Sequence, residues 1–213
     1  MIDDPVPELI RLLGDPAVFI AWPSGVKGTI KKWGHLTWAE MTPEYLVRLK
    51  DGNIGVALGE VSGGLCAIDW DDEAFVQPFL DLNPLLAETL QTHGARGRVF
   101  WVRFQGDYPK RSSRLKLGPT QEVGEFRSNG NQSIVWGIHP DTKKPYQRVV
   151  DKPVIRIEFN SIQWPKEISN PPRCTEEDRR DASHSVASVS SVPSVSSVTS
   201  VSSVQGSLCP TNF

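Results

Sequence analysis

The sequence predicts an α/β domain of the α+β kind, with a mixed or antiparallel sheet and helices packed on it. Short apolar segments rich in β-branched and aromatic residues recur along the chain, as is typical of strands. Segments with helix-start signals lie between some of them, and turns containing glycine or asparagine separate others. With 213 residues, the chain is long enough to bury one sizeable core.

Helices and strands alternate along this predicted domain. Helices are predicted over 7–13, from 42 onward, over 73–80 and over 84–90. Strands are predicted over 18–22, 53–58, 65–70, 99–104, 123–127, 131–136 and 154–159. Such an order places helices against the faces of a sheet.

Particular residues mark where these elements begin and end. Pro23 ends the first strand, Thr42 can cap the second helix, and Pro43 suits its first turn. A turn at Gly63-Gly64 separates two strands, and Asn129-Gly130 is a strong hairpin signal before the strand at 131–136.

The end of the chain has a different composition. From Ser183 onward there is no Lys, Arg, Asp or Glu, and Ser-Val pairs repeat. The alternating valines are compatible with a strand, but serine dominates and no large side chain is present to fill a core, which favours disorder. We therefore predict a domain over 1–168 and a linker with a disordered Ser/Val-rich tail over 169–213.

Charge and cysteine content exclude some classes of protein. The 23 Lys and Arg residues nearly balance the 25 Asp and Glu residues, so composition alone does not indicate a nucleic-acid partner. Three cysteines without paired spacing argue against a disulfide framework or a zinc site. We see no basic leader and no long apolar run, so the expectation is a soluble cytoplasmic protein with no membrane partner.

The strongest local signal is the segment 67–72, in which an apolar strand runs directly into acidic residues. Side chains alternate along a strand, so Asp69 and Asp71 share a face and lie about 6.6 Å apart along it. Two carboxylates so placed suit one or two Mg²⁺ ions. The alternative is that these acids only end a strand and cap the helix that starts near Glu73.

A second signal is Glu125, an acid between hydrophobic neighbours in the predicted strand 123–127. Glutamate in mid-strand is unfavourable unless it is paired or binds a metal. An ion pair with Arg127 or Arg103 is the alternative to a metal-binding role.

Two basic stretches are candidates for phosphate contacts. The first runs from 96 to 116 and contains seven basic residues against one acid. Its members are Arg96, Arg98, Arg103, Lys110, Arg111, Arg114 and Lys116. The second places Lys27 and Lys32 beside Trp33, where lysines can contact phosphate and the indole can stack on a base. Both stretches are also compatible with ordinary solvated surface.

Taken together and in order, these segments resemble the primase–polymerase (prim-pol) family of the archaeo-eukaryotic primase superfamily, found in plasmid, phage and mobile-element replication proteins. The resemblance covers most of 18–147. The matching segments are Phe19-Ile20-Ala21-Trp22-Pro23 with Lys27 and Lys32-Trp33, then 53–59, 62–65 and Ile68-Asp69-Trp70-Asp71, then 124–132, and finally Ile138-His139-Pro140-Asp141-Thr142 to Pro145-Tyr146.

One departure from the family pattern concerns its second motif. The family usually has a histidine in the strand after a Gly-rich turn, where it contacts the phosphates of the incoming nucleotide. Here the matching position is Val99. Either Arg96, Arg98 and Arg103 take over this role, with His139 as a further candidate, or nucleotidyl transfer is reduced.

The resemblance implies a DNA-directed nucleotidyltransferase that acts in replication. In that reading Asp69, Asp71 and Glu125 are catalytic and bind two Mg²⁺ or Mn²⁺ ions. Arg96, Arg98, Arg103 and His139 would bind the triphosphate of the nucleotide. The residues that would bind DNA are Lys27, Lys32, Lys110, Arg111, Arg114 and Lys116. The implied partners are a DNA template and primer, nucleoside triphosphates and a replicative helicase.

Two other functions remain open at this point. A catalytically degenerate module with the same fold would bind DNA without adding nucleotides, and Val99 favours it. A metal-dependent nuclease would use the same three acids but would degrade DNA without a triphosphate.

Overall fold

The computed structural model describes residues 4–27 and 32–179. Its helices are α1 (Val6–Leu13), α2 (Pro43–Val47) and α3 (Val76–Leu82), and residues 176–179 are also helical. Its strands are β1 (Val18–Pro23), β2 (Gly52–Ala57), β3 (Leu65–Trp70), β4 (Gln91–His93), β5 (Arg98–Gln105), β6 (Ser113–Leu117), β7 (Gln121–Arg127), β8 (Gln132–Trp136), β9 (Gln147–Val150) and β10 (Ile155–Glu158).

The strands form two sheets. A three-stranded sheet has the order β1-β2-β8, and a seven-stranded sheet has the order β6-β7-β3-β5-β4-β9, with β10 paired to β5. Only the β10–β5 pairing among these strands is parallel. The predicted fold class, a mixed or antiparallel sheet with packed helices, is confirmed, although the strands divide between two sheets.

Alternation along β3 divides the interior into two cores. Leu65 and Ala67 join a core with α1 and the three-stranded sheet. Cys66, Ile68 and Trp70 join a second core on the opposite face, beneath α3. Asp69 follows Leu65 and Ala67 on the first face, so its carboxylate lies at the margin of a dry interior.

The predicted helix starts are confirmed with small changes. The Thr42 hydroxyl accepts a hydrogen bond from the Tyr45 main-chain N–H at 3.3 Å, as an N-cap should. The helix predicted from Glu73 begins as a 3₁₀ turn, capped by the Asp72 carboxylate through the Ala74 N–H at 2.9 Å. The segment Pro84–Glu88 is 3₁₀ rather than α-helical.

The Asn129-Gly130 turn does not close a hairpin, contrary to the sequence prediction. The strand before it, β7, pairs with β6 and β3, whereas the strand after it, β8, pairs with β2. The Asn129 side chain instead accepts from the Glu60 N–H and donates to its carboxylate, which fixes the turn to a distant loop. Ile134 and Val135 of β8 can then join the first core.

Three strands, β4, β6 and β9, were not predicted because polar residues interrupt their apolar pattern. The chain also continues to contact the domain beyond the boundary expected at Ile168. The Ser169 N–H donates to Lys116, and the Asp178 carboxylate accepts from the Lys110 N–H. Residues 180–213, which include the Ser/Val-rich tail predicted to be disordered from Ser183 onward, lie outside the described residues. Among those that are described, no helix is long and apolar enough to cross a membrane.

Candidate active site

Asp69 and Glu125 lie directly opposite each other on neighbouring strands. Strands β3 and β7 are antiparallel, and their register pairs Asp69 with Glu125. Directly opposed residues present their side chains on the same face of a sheet, with Cβ atoms about 5 Å apart. The two side chains are only 14% and 13% exposed. Strand register thus brings together two acids that are far apart in sequence.

The guanidinium of Arg127 spans this acid pair. Its Nη2 lies 2.7 Å from Asp69 Oδ2, and its Nε donates to Glu125 Oε2 at 2.7 Å. Its Nη1 donates to the Ser133 hydroxyl at 2.8 Å, which ties the site to β8. Because Arg127 lies two residues after Glu125 on the same strand, both side chains project from the same face. The sequence suggested this ion pair, but not that Arg127 would also bind Asp69.

Burial raises the pKa of Asp69 to about 6. Arg127 opposes this shift, while the negative charges of Asp71 and Glu125 add to it and Lys27 lowers the pKa slightly. The pKa of Asp69 is thus raised because ionisation puts another negative charge into a poorly solvated site that already holds two acids. A bound cation would relieve this cost.

Asp71 extends the acidic surface beyond the end of β3. Its main-chain N–H donates to Val123 O at 2.9 Å, which continues the ladder to β7. Its carboxylate is 43% exposed and lies 3.9 Å from Arg96 Nη2. Asp71 is close enough to raise the pKa of Asp69, but it does not share the Arg127 contact.

A divalent metal needs ligands of a suitable kind that are gathered closely enough to bind it. Carboxylate oxygens are the ligands that Mg²⁺ and Mn²⁺ take, and one pair is already assembled. Across residues 4–27 and 32–179, however, no group of three or more His, Cys, Asp or Glu side chains is gathered closely enough to hold an ion. The chemistry of the donors fits a metal, and the Asp69–Glu125 pair is the assembled part.

A second group of side chains borders the acids, centred on His139. Only 4% of His139 is exposed, and its ring packs on Tyr146 with 5.4 Å between centroids. Lys27 Nζ lies 3.4 Å from His139 Nε2. Asn53 holds this loop, since its side chain accepts from the Ile138 N–H at 2.7 Å and donates to Ile138 O at 2.8 Å.

The Gly-rich turn between β4 and β5 reaches the same place. A Cβ added at Gly94 would lie 3.0 Å from Tyr146 Cε1 and 3.2 Å from His139 Cδ2, so this turn packs closely on both rings. Sequence reasoning missed Asn53 and Tyr146 as parts of the site. Asn53 was a polar residue at the start of an apolar strand, and both Asn53 and Tyr146 stood in matching motif segments without an assigned role.

Comparison with known families assigns the chain. The model of the bifunctional DNA primase/polymerase N-terminal domain matches residues 15–172. This range runs from before β1 to beyond β10 and contains the acid pair and the His139 loop. The chain belongs to the bifunctional DNA primase/polymerase family. Membership supports a primase/polymerase-type function in replication, with DNA and nucleotides as substrates. A search of curated proteins gives no match.

Two arginines expected at the nucleotide of a primase/polymerase lie elsewhere. Arg103 is 2% exposed and donates to the carbonyls of Ser62, Gly63, Leu13 and Gly14. It shares the face of Val99, as predicted, but lies opposite Leu65, about 13 Å along the strand from Asp69. The expectation that Arg103 faces the metals is wrong, because its guanidinium binds four main-chain carbonyls away from the acids.

Arg98 projects from the other face of the sheet. It pairs in register with Trp70, and its guanidinium binds Gln91 Oε1 and Glu73 Oε1, both at 3.2 Å. This placement corrects the expectation that Arg98 contacts phosphate at the acid pair. Arg96 does lie beside the site, near Asp71, and Val99 is the register partner of Asp69.

The residues predicted to bind DNA divide into buried and exposed groups. The Lys110 ammonium lies 2.8 Å from the Glu60 carboxylate and 3.9 Å from the centroid of the Tyr108 ring. Its charge is therefore engaged in contacts within the protein. Arg111 and Arg114 are exposed. The Arg111 guanidinium lies 3.3 Å from the Glu177 carboxylate, and that of Arg114 lies 3.9 Å from the Glu122 carboxylate. Arg114 Nη1 lies 3.7 Å from Glu125, which connects the basic strand β6 to the acid pair.

Two further lysines predicted to bind DNA lie at other positions. The Lys116 main chain anchors Ser169 and Asn170. Lys32 lines an open cavity of about 350 Å³ together with Trp33 and Tyr45, on the side of β1.

Proposed function

We propose that this domain is a DNA-directed nucleotidyltransferase that extends a primer on a single-stranded template. The observation that carries the proposal is the register pair of Asp69 and Glu125 on β3 and β7. Two carboxylates held face to face at the edge of a dry core are costly unless they serve a cation. Family membership makes nucleotide addition the reaction that such a site would serve.

Asp69, Asp71 and Glu125 are the residues that would hold Mg²⁺ or Mn²⁺. When bound, such ions supply activation of the attacking hydroxyl and stabilisation of the pyrophosphate leaving group. Arg127 orients the Asp69 and Glu125 carboxylates, since it donates to both. Arg96, whose guanidinium lies 3.9 Å from Asp71, and Lys27, whose charge lowers the pKa of Asp69, add positive charge that would attract a triphosphate.

Arg114 on β6 and Arg111, two residues before that strand, are the best candidates for the DNA backbone because both are exposed. Arg114 lies 3.7 Å from Glu125, so a DNA strand that it binds would pass close to the acid pair. Phosphate contacts of this kind fix the position of DNA without reading its sequence.

A non-catalytic DNA-binding module is the second candidate function. Two observations favour it. Arg127 already pairs with both Asp69 and Glu125, and Val99 stands opposite Asp69 where the family has a histidine. In that case the acid pair with its arginine is a structural ion pair.

Primer extension on a single-stranded template, with Mg²⁺ or Mn²⁺, separates the two functions. We expect the wild type to add nucleotides, and Asp69→Asn and Glu125→Gln to lower kcat by about 100-fold or more. Asp81→Asn on α3 and Glu158→Gln on β10 are isosteric controls that should match the wild type. Calorimetric titration with Mn²⁺ should show binding that both site variants weaken.

The remaining outcomes distinguish the alternatives. A wild type that binds single-stranded DNA but adds no nucleotide with either metal contradicts the proposal and supports the binding module. Degradation of the template without any triphosphate indicates a metal-dependent nuclease instead.

A further inference from the structure

His139 and Lys27 present hydrogen-bond donors to each other. The His139 Nδ1 accepts the main-chain N–H groups of Asp141 at 3.2 Å and Thr142 at 3.3 Å. A ring nitrogen that accepts N–H groups carries a lone pair, so the ring proton is on Nε2. The Nε2 atom lies 3.4 Å from Lys27 Nζ, and the Lys27 ammonium can donate hydrogen bonds but cannot accept them.

The His139 Nε2–H and the Lys27 ammonium cannot satisfy each other, because both are donors. An acceptor that both can reach would bind them together. Burial and the charge of Lys27 lower the pKa of His139, which keeps the ring neutral and its Nε2–H fixed. The Asp141 carboxylate lies 3.9 Å from Lys27 Nζ and 3.9 Å from His139 Nδ1, too far for a hydrogen bond to either. Its side chain is 77% exposed, so water screens its charge.

The surroundings indicate what kind of acceptor this is. The charge of Lys27 lowers the pKa of Asp69, so its electrostatic field reaches the acid pair. Gly94, in the turn that precedes Val99, packs directly on the His139 ring. The two donors therefore lie beside the Gly-rich turn, and Val99, which follows that turn, is the register partner of Asp69. An anion bound by the donors would be held on the side of the sheet where the acids lie.

We propose that Lys27 and His139 form a phosphate subsite that takes the triphosphate of the incoming nucleotide. This inference rests on the proposed function. The subsite supplies one charged donor, the Lys27 ammonium, and one neutral donor, the His139 N–H. Arg98 and Arg103 cannot bind the same phosphate, because their guanidinium groups are bound elsewhere. The histidine comes from the loop after β8, whereas the strand that follows the Gly-rich turn carries Val99.

The side chains allow variants that separate binding from folding. His139→Asn places an amide oxygen where Nδ1 accepts the Asp141 and Thr142 N–H groups, yet lacks the Nε2 donor. His139→Gln can return a donor to the Nε2 position. Lys27→Met keeps the length of the side chain without its charge. Lys152→Met is the matched control, because the Lys152 ammonium of the wild type binds Glu88, far from the site.

Inorganic triphosphate without DNA is the first probe, measured by calorimetry on the full chain. Lys27→Met and His139→Asn should each weaken its binding by about 10- to 100-fold, as expected for the loss of one charge-assisted hydrogen bond. Lys152→Met should bind like the wild type, and His139→Gln should recover part of the loss. Unchanged binding in both site variants, with intact melting curves, overturns the subsite.

A second probe distinguishes a nucleotide from the DNA backbone as the source of the phosphate. Fluorescence anisotropy with a labelled single-stranded oligonucleotide should give the same Kd for the wild type and both site variants, while KM for dATP rises about 10-fold or more. A loss confined to the oligonucleotide overturns the nucleotide assignment. If the wild type adds no nucleotides, the triphosphate titration still tests the subsite, so its failure and that of the proposed function are distinguishable.

Discussion

Asp69 and Glu125 face each other across the β3–β7 pairing, and one guanidinium, that of Arg127, binds both carboxylates. The arginine compensates negative charge at a place where neither acid is well solvated. The stability of the domain and the chemistry of its site therefore depend on the same three side chains, and each can be tested separately.

Removal of the bridging charge should destabilise the fold. In Arg127→Met, two partly buried carboxylates lose their common partner, and we expect the free energy of unfolding to fall by about 1–3 kcal/mol. Urea unfolding at pH 7 measures this. Arg114→Met, which removes an exposed and longer contact to Glu125, should cost less than about 1 kcal/mol. Equal losses in the two variants would show that Arg127 is not the partner on which the acids depend.

Stability should fall as the pH rises through the titration of Asp69. Below the ordinary pKa of 3.8 the carboxyl is protonated in both states, and above about 6 it is ionised in both. Between these values the folded state holds a proton that the unfolded chain releases, so raising the pH favours unfolding by about 1–3 kcal/mol in total.

Asp69→Asn provides the reference for this measurement because asparagine cannot titrate. With EDTA present, the unfolding free energy of the wild type minus that of Asp69→Asn should decrease between pH 4 and pH 6. The other ionisable groups of the domain are the same in both proteins, so the difference isolates Asp69. Parallel curves over this range would contradict a raised pKa at Asp69.

Arg103 should matter for stability and not for nucleotide binding. Arg103→Met removes the donor of four buried or part-buried main-chain carbonyls. We expect the free energy of unfolding to fall by about 3 kcal/mol, with an unchanged KM for nucleotide. Arg156→Met is the control, because Arg156 is the exposed neighbour of Arg103 on β10. A raised KM with normal stability would restore the phosphate role to Arg103.

Gly124 sets how closely β7 approaches β3. An added Cβ would overlap the carbonyl oxygen of Asp69 and lie 3.2 Å from the Trp70 Cα, so main chain would have to move. Gly124→Ala should lower stability by about 2–4 kcal/mol and reduce Mn²⁺ binding, since it separates Asp69 from Glu125. Gly34→Ala, where a Cβ meets nothing within 4 Å, should change the melting temperature little. A stable Gly124→Ala variant would mean that the strands are not so tightly apposed.

The sequence by itself determined most of the local structure. Apolar segments marked seven of the ten strands, Thr42 marked a helix start, and alternation placed Asp69 on the face of β3 that Asp71 continues. The motif order also indicated the family that the match over 15–172 shows. These features follow from neighbouring residues, because side-chain alternation and capping act within a few positions.

Only the tertiary structure decided which strands pair and what each polar side chain meets. The Asn129-Gly130 turn joins two different sheets, Arg103 turns to buried carbonyls, and Arg127 binds an acid on another strand. Pairing and register depend on how both faces of a strand are buried, which distant segments determine. A buried arginine or acid likewise binds the partners that the fold brings within reach. The sequence could therefore identify the charged residues but not which of them pair.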